Sequence, residues 1–132
     1  MGIQIVVGAG PIGSGVARAL IAEGEDVVVV TRSGSGPEGA RKVAMDATDA
    51  DALTRLAAEA SSIFNCANPP YNRWTTDWPP LANAMLAAAA DSDAVLVIAS
   101  NLYGYGPVNG VMTPDLPLAA GYSKGQVRAQ MW

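Results

Sequence analysis

A glycine-rich turn between an apolar run and a helical pattern constrains the fold of this chain most. Ile3–Val7 reads IQIVV, a short run typical of a strand buried on both faces of a parallel sheet. GAGPIG follows at residues 8–13 and matches G-x-G-x-x-G at every position. Ile12, Val16 and Leu20 then recur at four-residue steps, which predicts one face of a helix. A strand, a tight turn and a helix in this order form the start of a βαβ unit.

The chemistry of this turn suits a pyrophosphate. Gly8 permits the tight turn, Gly10 lets the backbone approach the phosphates, and Gly13 lets helix and strand pack closely. Pro11 suits the first helical position, where its missing N–H is not needed. The free N–H groups at that helix end would face the anion. We therefore expect a dinucleotide here, and a turn with a purely structural role is the alternative.

The rest of the chain continues the alternation of strands and helices. This alternation predicts a single α/β domain over residues 1–132, a Rossmann-like doubly wound parallel sheet with helices on both faces. Ligands then lie beyond the carboxyl ends of the strands. After the first strand, we expect strands at Val27–Thr31, Lys42–Met45, Ser62–Cys66 and Ala94–Ala99. Later helices are expected from Asp49 or Asp51 to Ala60, at Pro79–Ala90 and at Ser123–Trp132.

Successive prolines predict a loop at Asn68–Tyr71, ahead of the helix expected from Pro79. Tyr71, Trp74 and Trp78 would then lie in a loop over the rim of the site. They would either stack on a base or sugar or cover apolar surface.

The end of the second strand bears on the choice of cofactor. An NAD site usually has Asp or Glu about 20 residues after the glycines, but this strand ends in Thr31-Arg32-Ser33. Arg32 and Ser33 would bind a 2′-phosphate, which favours NADP over NAD. The alternative is that Arg32 is only a solvated side chain at the end of the strand. Asp46 would accept from the adenine amino group or cap the next helix. The predicted cofactor-binding residues are Gly8, Gly10, Pro11, Ile12, Gly13, Arg32, Ser33, Asp46, Ala47, Cys66 and Ala67.

Composition excludes several classes of function. The net charge of −4 argues against nucleic-acid and anionic-membrane binding, since both need a basic surface. The absence of His excludes a His-based triad or metal site, and we expect no metal. Cys66 is the only cysteine, so no internal disulfide can form; it is a small core residue or a reactive thiol. The N-terminus lacks the features of a signal peptide, and a cytoplasmic location is expected.

Four segments together resemble the extended branch of the short-chain dehydrogenase/reductase superfamily, the nucleotide-sugar epimerases and dehydratases. They are GAGPIGSGVARAL, DATD, NCANPP and IASNLYGYGP, which follow one another along nearly the whole chain. The resemblance implies a Rossmann fold, NAD(P) binding and a catalytic Ser or Thr just before a Tyr-Gly pair. Ser100, before Tyr103-Gly104, is the matching residue.

The chain departs from this family in its glycine spacing, where Val7 stands at the first glycine of the usual motif, and in its active site. The family uses Tyr-x-x-x-Lys, in which the Lys lowers the phenol pKa for proton exchange. Here Ala120 lies four residues before Lys124, and Gln126 lies four residues after Tyr122. Tyr122 is then the phenol expected to donate the proton, with the help of Lys124. The substrate-binding region that follows in the family is expected to be absent.

Two functions therefore remain. One is an NAD(P)-dependent oxidoreductase or sugar-nucleotide epimerase/dehydratase, acting on a nucleotide sugar or a small carbonyl through Ser100, Tyr122 and Lys124. The other is a non-catalytic dinucleotide-binding or redox-sensing module, which the missing Tyr-x-x-x-Lys favours. Trp132 is an apolar residue that would mediate a homodimer.

Overall fold

The structure, a computed structural model, describes residues 2–132 and contains one parallel sheet of five strands in the order β3-β2-β1-β4-β5. The chain alternates strands and helices as far as β5, except between β2 and β3. The elements are β1 (Ile3–Val7), α1 (Pro11–Ala22), β2 (Val27–Thr31), β3 (Arg41–Ala44), α2 (Ala50–Ala57), β4 (Ala60–Asn65), α3 (Trp74–Ser92), β5 (Val95–Ile98) and α4 (Ser123–Gln130), with 3-10 turns at Tyr71–Arg73 and Tyr103–Tyr105.

The central strand β1 pairs with β2 on one side and β4 on the other, so Val6 lies beside Val29 and Phe64. Val6, Val27 and Val29 are buried with Ala17 of α1 in one core cluster. β-branched residues suit this doubly covered position. The predicted α/β, Rossmann-like fold is confirmed.

Contacts divide the chain into two compact units. The first contains the sheet and consists of the chain up to Asn68 together with Pro80–Ala99. The second consists of Pro69–Pro79 and Ser100–Trp132. The expectation of a single domain over residues 1–132 stays a prediction.

The third helix begins earlier than its sequence predicts, at Trp74 rather than Pro79. Trp74 and Trp78, four residues apart, share one helix face and are buried, with 4% and 0% exposure. Arg73 and Asp77 form a two-point ion pair over the same turn. Burial of two indoles outweighs the two backbone hydrogen bonds that Pro79 and Pro80 remove, so the expectation that these tryptophans lie in a loop is wrong.

Ile12 also differs from expectation. The four-residue steps place it on the inner face of α1, but its side chain is 60% exposed. It lies in the first turn, where the helix has just left the sheet edge; Val16 and Leu20 further along do pack against the core cluster.

Candidate functional site

The sheet of the first unit brings four of the predicted cofactor segments to one edge. β1, β2, β3 and β4 are mutually parallel, so their last residues lie at the same edge of the sheet. The segments that follow them are those that begin at Gly8, Arg32, Met45 and Cys66. Ser100, the predicted catalytic residue after β5, belongs to the second unit.

Two glycines of the turn are required by the backbone. Gly8 has φ +97°, and a Cβ there would lie 2.8 Å from the Ala67 nitrogen. A Cβ on Gly13 would lie 2.0 Å from the carbonyl oxygen of Gly8. Side chains at either position are therefore excluded, and the roles expected for the first and third glycines follow from the packing of β1, α1 and the chain after β4.

Gly10 differs from these two, because a Cβ there would meet nothing within 4 Å. It is the N-cap residue of α1, its backbone is extended, and Pro11 opens the helix. No side chain caps this helix end. Free backbone N–H groups beside open space fit a pyrophosphate, which carries negative charge and must approach the backbone closely.

Arg32 and Asp46 follow neighbouring strands, and both are exposed. Two hydrogen bonds from Thr48, one from its nitrogen and one from its hydroxyl, hold the pKa of Asp46 below its ordinary value, and the charge of Arg32 adds to this.

The Ser33 hydroxyl donates to Ser35 Oγ at 2.9 Å. Asp49, not Asp46, caps α2 by accepting from the Ala52 nitrogen at 3.0 Å, so the alternative of a helix cap at Asp46 is wrong.

The chain after β4 carries Cys66 and Ala67. Cys66 is half-buried against the core cluster, and burial raises the pKa of its thiol, which disfavours the reactive thiolate. Asn65 before it is 2% exposed, and its Oδ1 accepts no hydrogen bond from any of the described residues.

The predicted catalytic residues lie in the second unit, and none of the hydrogen bonds given for the described residues joins two of them. The Ser100 hydroxyl lies 3.5 Å from the Asn101 carbonyl. The Tyr122 hydroxyl donates to the Tyr103 carbonyl at 3.3 Å. Lys124 Nζ lies 4.3 Å from the centre of the Tyr71 ring, a contact with a phenol other than the expected Tyr122.

Five rings of the second unit contact one another, and we call them the aromatic cluster: Tyr71, Trp74, Trp78, Tyr103 and Tyr122. Trp74 is central to it, with ring centres at 4.9 Å from Tyr71, 6.3 Å from Trp78 and 5.9 Å from Tyr103. Its Nε1 donates to the Pro69 carbonyl at 3.1 Å. Most of these contacts are edge-on, the arrangement that aromatic pairs prefer.

Arg128 is the residue that sequence reasoning missed. It lies on α4 with 7% exposure, and its guanidinium carbon is 4.4 Å from the ring centres of both Trp74 and Trp78. Its spacing from Lys124 is visible in the sequence, but its partners are 50 or more residues away. The sequence gives one local signal for this contact: Trp74 and Trp78 are four residues apart, so both rings lie on one helix face, where a cationic side chain can stack on them.

Among the described residues, no helix is both long and apolar enough to cross a membrane. No group of three or more Cys, Asp or Glu side chains in the same residues is placed to hold a metal ion.

Comparison with solved structures gives several matches over almost the whole chain. MoeE5, in complex with UDP-glucose and NAD, is 26% identical with a TM-score of 0.79, covering 98% of this chain and 46% of its own. The UDP-glucose 4-epimerase of Thermotoga maritima is 21% identical with a TM-score of 0.79, covering 98% of this chain and 48% of its own. WbmG of Bordetella bronchiseptica, in complex with NAD and UDP, is 19% identical with a TM-score of 0.78, covering 97% and 47%.

The chain therefore spans about half the length of these relatives. None of the curated protein sequences compared with it matches significantly. The family model described as the NAD dependent epimerase/dehydratase family matches residues 4–80, which contain the glycine turn and β1 to β4. With more than half of its residues matched, the chain belongs to the NAD dependent epimerase/dehydratase family.

Proposed function

We propose that this chain binds a nicotinamide dinucleotide and forms the cofactor half of an oxidoreductase or epimerase that acts on a nucleotide sugar or a small carbonyl compound. The open space at Gly10, beside the uncapped start of α1, carries this proposal. MoeE5, 26% identical, is recorded with NAD and UDP-glucose, which supports the same pair of ligands.

The residues of the first unit would divide the binding between them. N–H groups of Ile12 and Gly13 would donate to the pyrophosphate. Arg32 and Ser33 would bind a 2′-phosphate, which favours NADP(H), although the structures of MoeE5 and WbmG named above are complexes with NAD. Asp46 and Ala47 would lie against the adenine. Cys66 and Ala67 follow β4 at the same sheet edge.

For catalysis, a bound nicotinamide would exchange a hydride with a carbon of the substrate. Ser100 would donate a hydrogen bond to the substrate oxygen, and Tyr122 would exchange the proton with the help of Lys124. Lys124 lies over the Tyr71 ring, so Tyr71 is the second phenol to test.

The second candidate is a dinucleotide-binding module without catalysis. Two observations favour it: Ala120 stands four residues before Lys124, and the Tyr122 hydroxyl donates to a backbone carbonyl. General acid–base catalysis contributes about 10²–10⁴-fold and needs a phenol that is available to the substrate.

Calorimetric titration with NADPH and NADH tests cofactor binding, and absorbance of the reduced nicotinamide during incubation with a panel of UDP-sugars and simple carbonyls tests catalysis. We expect binding without appreciable oxidation by the 132-residue chain. Turnover that is lost in Ser100→Ala and in Tyr122→Phe would establish the enzyme instead. Loss in Tyr71→Phe but not in Tyr122→Phe would move the proton donor to Tyr71. No binding of either dinucleotide would overturn the whole proposal.

Self-association and cellular location belong to the same proposal. Trp132 is 74% exposed and would contact a second copy of the chain. Sedimentation of the wild type and of Trp132→Ala tests this. A cytoplasmic location stays a prediction of the sequence.

A further inference from the structure

The second unit contains a cavity of about 320 Å³, which shares only Ser100 with the predicted site. Ser100 and Asn101 contribute polar groups to its wall, and Tyr105, Leu118 and Trp132 contribute apolar surface. Arg128 contributes the one charged side chain among the described residues that line it. A mostly apolar cavity with a few placed polar groups is typical of a small-ligand site, and this volume is at the lower end of the usual range.

Arg128 is held in place by its surroundings. Its guanidinium carbon lies 4.4 Å from each of two indole centres, and the planes of these indoles are inclined at 74°. Two flat surfaces at this angle leave the group little freedom, so the orientation of its N–H groups is set before a ligand arrives. Burial lowers the pKa of Arg128, but a guanidinium keeps its proton at neutral pH.

The charge of the cavity selects the kind of ligand. A guanidinium donates charge-assisted hydrogen bonds to a carboxylate or phosphate. Nε and Nη1 of Arg128 are buried, so the N–H groups of Nη2 are the donors that would reach the cavity. No Asp or Glu is among the described residues that line the cavity. The whole chain carries a net charge of −4, so a cationic wall here is a local feature.

We propose that this cavity binds a compact organic anion, with its carboxylate or phosphate on Arg128 and its apolar body against Leu118, Tyr105 and Trp132. Binding stands on the cavity alone and needs no dinucleotide. Because Ser100 lines the same cavity, the anion is also a candidate substrate, and that identification alone rests on the proposed function.

The test uses three probes with the same ring: benzoate, phenyl phosphate and the uncharged benzyl alcohol. Titration calorimetry of the 132-residue chain without cofactor gives the affinities. We expect one of the two anions to bind at least tenfold more tightly than benzyl alcohol, and added salt to weaken it. The tighter anion identifies the group, carboxylate or phosphate, that the site prefers. Equal affinities for all three probes, or no binding of either anion at millimolar concentration, would overturn the proposal.

Variants locate the site. Arg128→Met should weaken the anion at least tenfold and leave benzyl alcohol unchanged. Arg128→Lys should recover only part of the loss, because an ammonium group is not planar and cannot stack on the two indoles as the guanidinium does. Arg55→Met, which removes an exposed arginine of α2 in the first unit, should leave the affinity for all three probes unchanged.

If Arg128→Met does not fold, Leu118→Trp provides the test. Leu118 is 40% exposed, and a larger ring there should fill the cavity and abolish binding of all three probes. Unchanged anion affinity in a folded Arg128→Met or in Leu118→Trp would contradict the proposal.

Discussion

The candidate site of the first unit is formed by backbone groups, whereas that of the second unit is formed by side chains. In the first unit the glycine turn is defined by side chains that are missing, and backbone groups would hold the ligand. In the second unit the aromatic cluster and Arg128 are defined by large side chains packed on one another. A backbone site depends on local conformation, whereas a side-chain site depends on partners brought together from distant segments. Truncation of a buried side chain in the second unit should therefore lower stability, whereas a side chain added in the glycine turn should lower stability where it meets backbone and cofactor binding where it enters open space.

The largest effect is expected at Trp78, which is fully buried. Trp78→Ala should lower the free energy of unfolding by about 3–5 kcal/mol, because truncation leaves a cavity that its neighbours fill only in part. Trp132→Ala is the matched control, since Trp132 is 74% exposed and should change stability little. Urea denaturation followed by circular dichroism measures both. Equal losses in the two variants would mean that burial does not distinguish them.

In the glycine turn, stability should depend on Gly13. A Cβ there would lie 2.0 Å from the Gly8 carbonyl oxygen, so helix and strand must separate. Gly13→Ala should cost about 3 kcal/mol, since overpacking against backbone outweighs the better helix propensity of Ala. Gly15→Ala, in the same helix but with open space around it, should instead raise stability by up to about 1 kcal/mol. Thermal denaturation of the pair decides this, and a stable Gly13→Ala would contradict the close packing.

Gly10 should affect binding and not stability. Its missing side chain leaves open space that we assign to the pyrophosphate. Gly10→Val should fold but bind NADPH and NADH at least a hundredfold more weakly, a loss of about 2.7 kcal/mol. Gly15→Val, which adds the same side chain further along α1, should bind as the wild type does. Unchanged affinity in Gly10→Val, measured by calorimetry, would remove the cofactor interpretation of the turn.

Arg32 should act on one cofactor alone. A charge-assisted hydrogen bond contributes about 1.5–3 kcal/mol, so Arg32→Ala should weaken NADPH roughly tenfold to a hundredfold and leave NADH nearly unaffected. Arg41→Ala is the control, since Arg41 begins β3 at the opposite edge of the sheet. Titration with both dinucleotides measures the difference. Equal losses for NADPH and NADH in Arg32→Ala would mean that Arg32 acts on the Ser33–Gly39 loop and not on a 2′-phosphate.

The smallest effect is expected at Asp46. Because the folded state holds its pKa below the ordinary value, the ionised carboxylate stabilises the fold above the unfolded pKa of 3.8, and this contribution is lost as the pH falls through the lower folded value. The side chain is exposed, so the gain over Asp46→Asn should be less than about 1 kcal/mol near neutral pH. Unfolding measured from pH 2 to pH 7 checks the trend. A difference between the two proteins that does not change with pH would exclude this origin.

The sequence predicted the first unit well. All five strands are confirmed within two residues at each end, and the bounds of β1 and β2 are confirmed without any shift. Apolar β-branched runs, a glycine motif and one helical pattern are local signals, and each depends on residues close together in the chain. The required absence of a side chain at Gly13 is also visible in the motif, since strand, turn and helix are contiguous.

The second unit depended on the tertiary structure. Pro79 and Pro80 suggested that the third helix begins at Pro79, but it begins at Trp74. No local rule weighs a proline against the burial of an indole whose partner, Arg128, lies more than fifty residues away. The contact of Lys124 with Tyr71, and of Arg128 with two tryptophans, likewise joins Pro69–Pro79 to the last helix across a long separation. The sequence by itself determined the strands, the turn and the family, because those follow from local geometry and periodicity. Only the tertiary structure decided which ring meets which cation, since that depends on how distant segments pack.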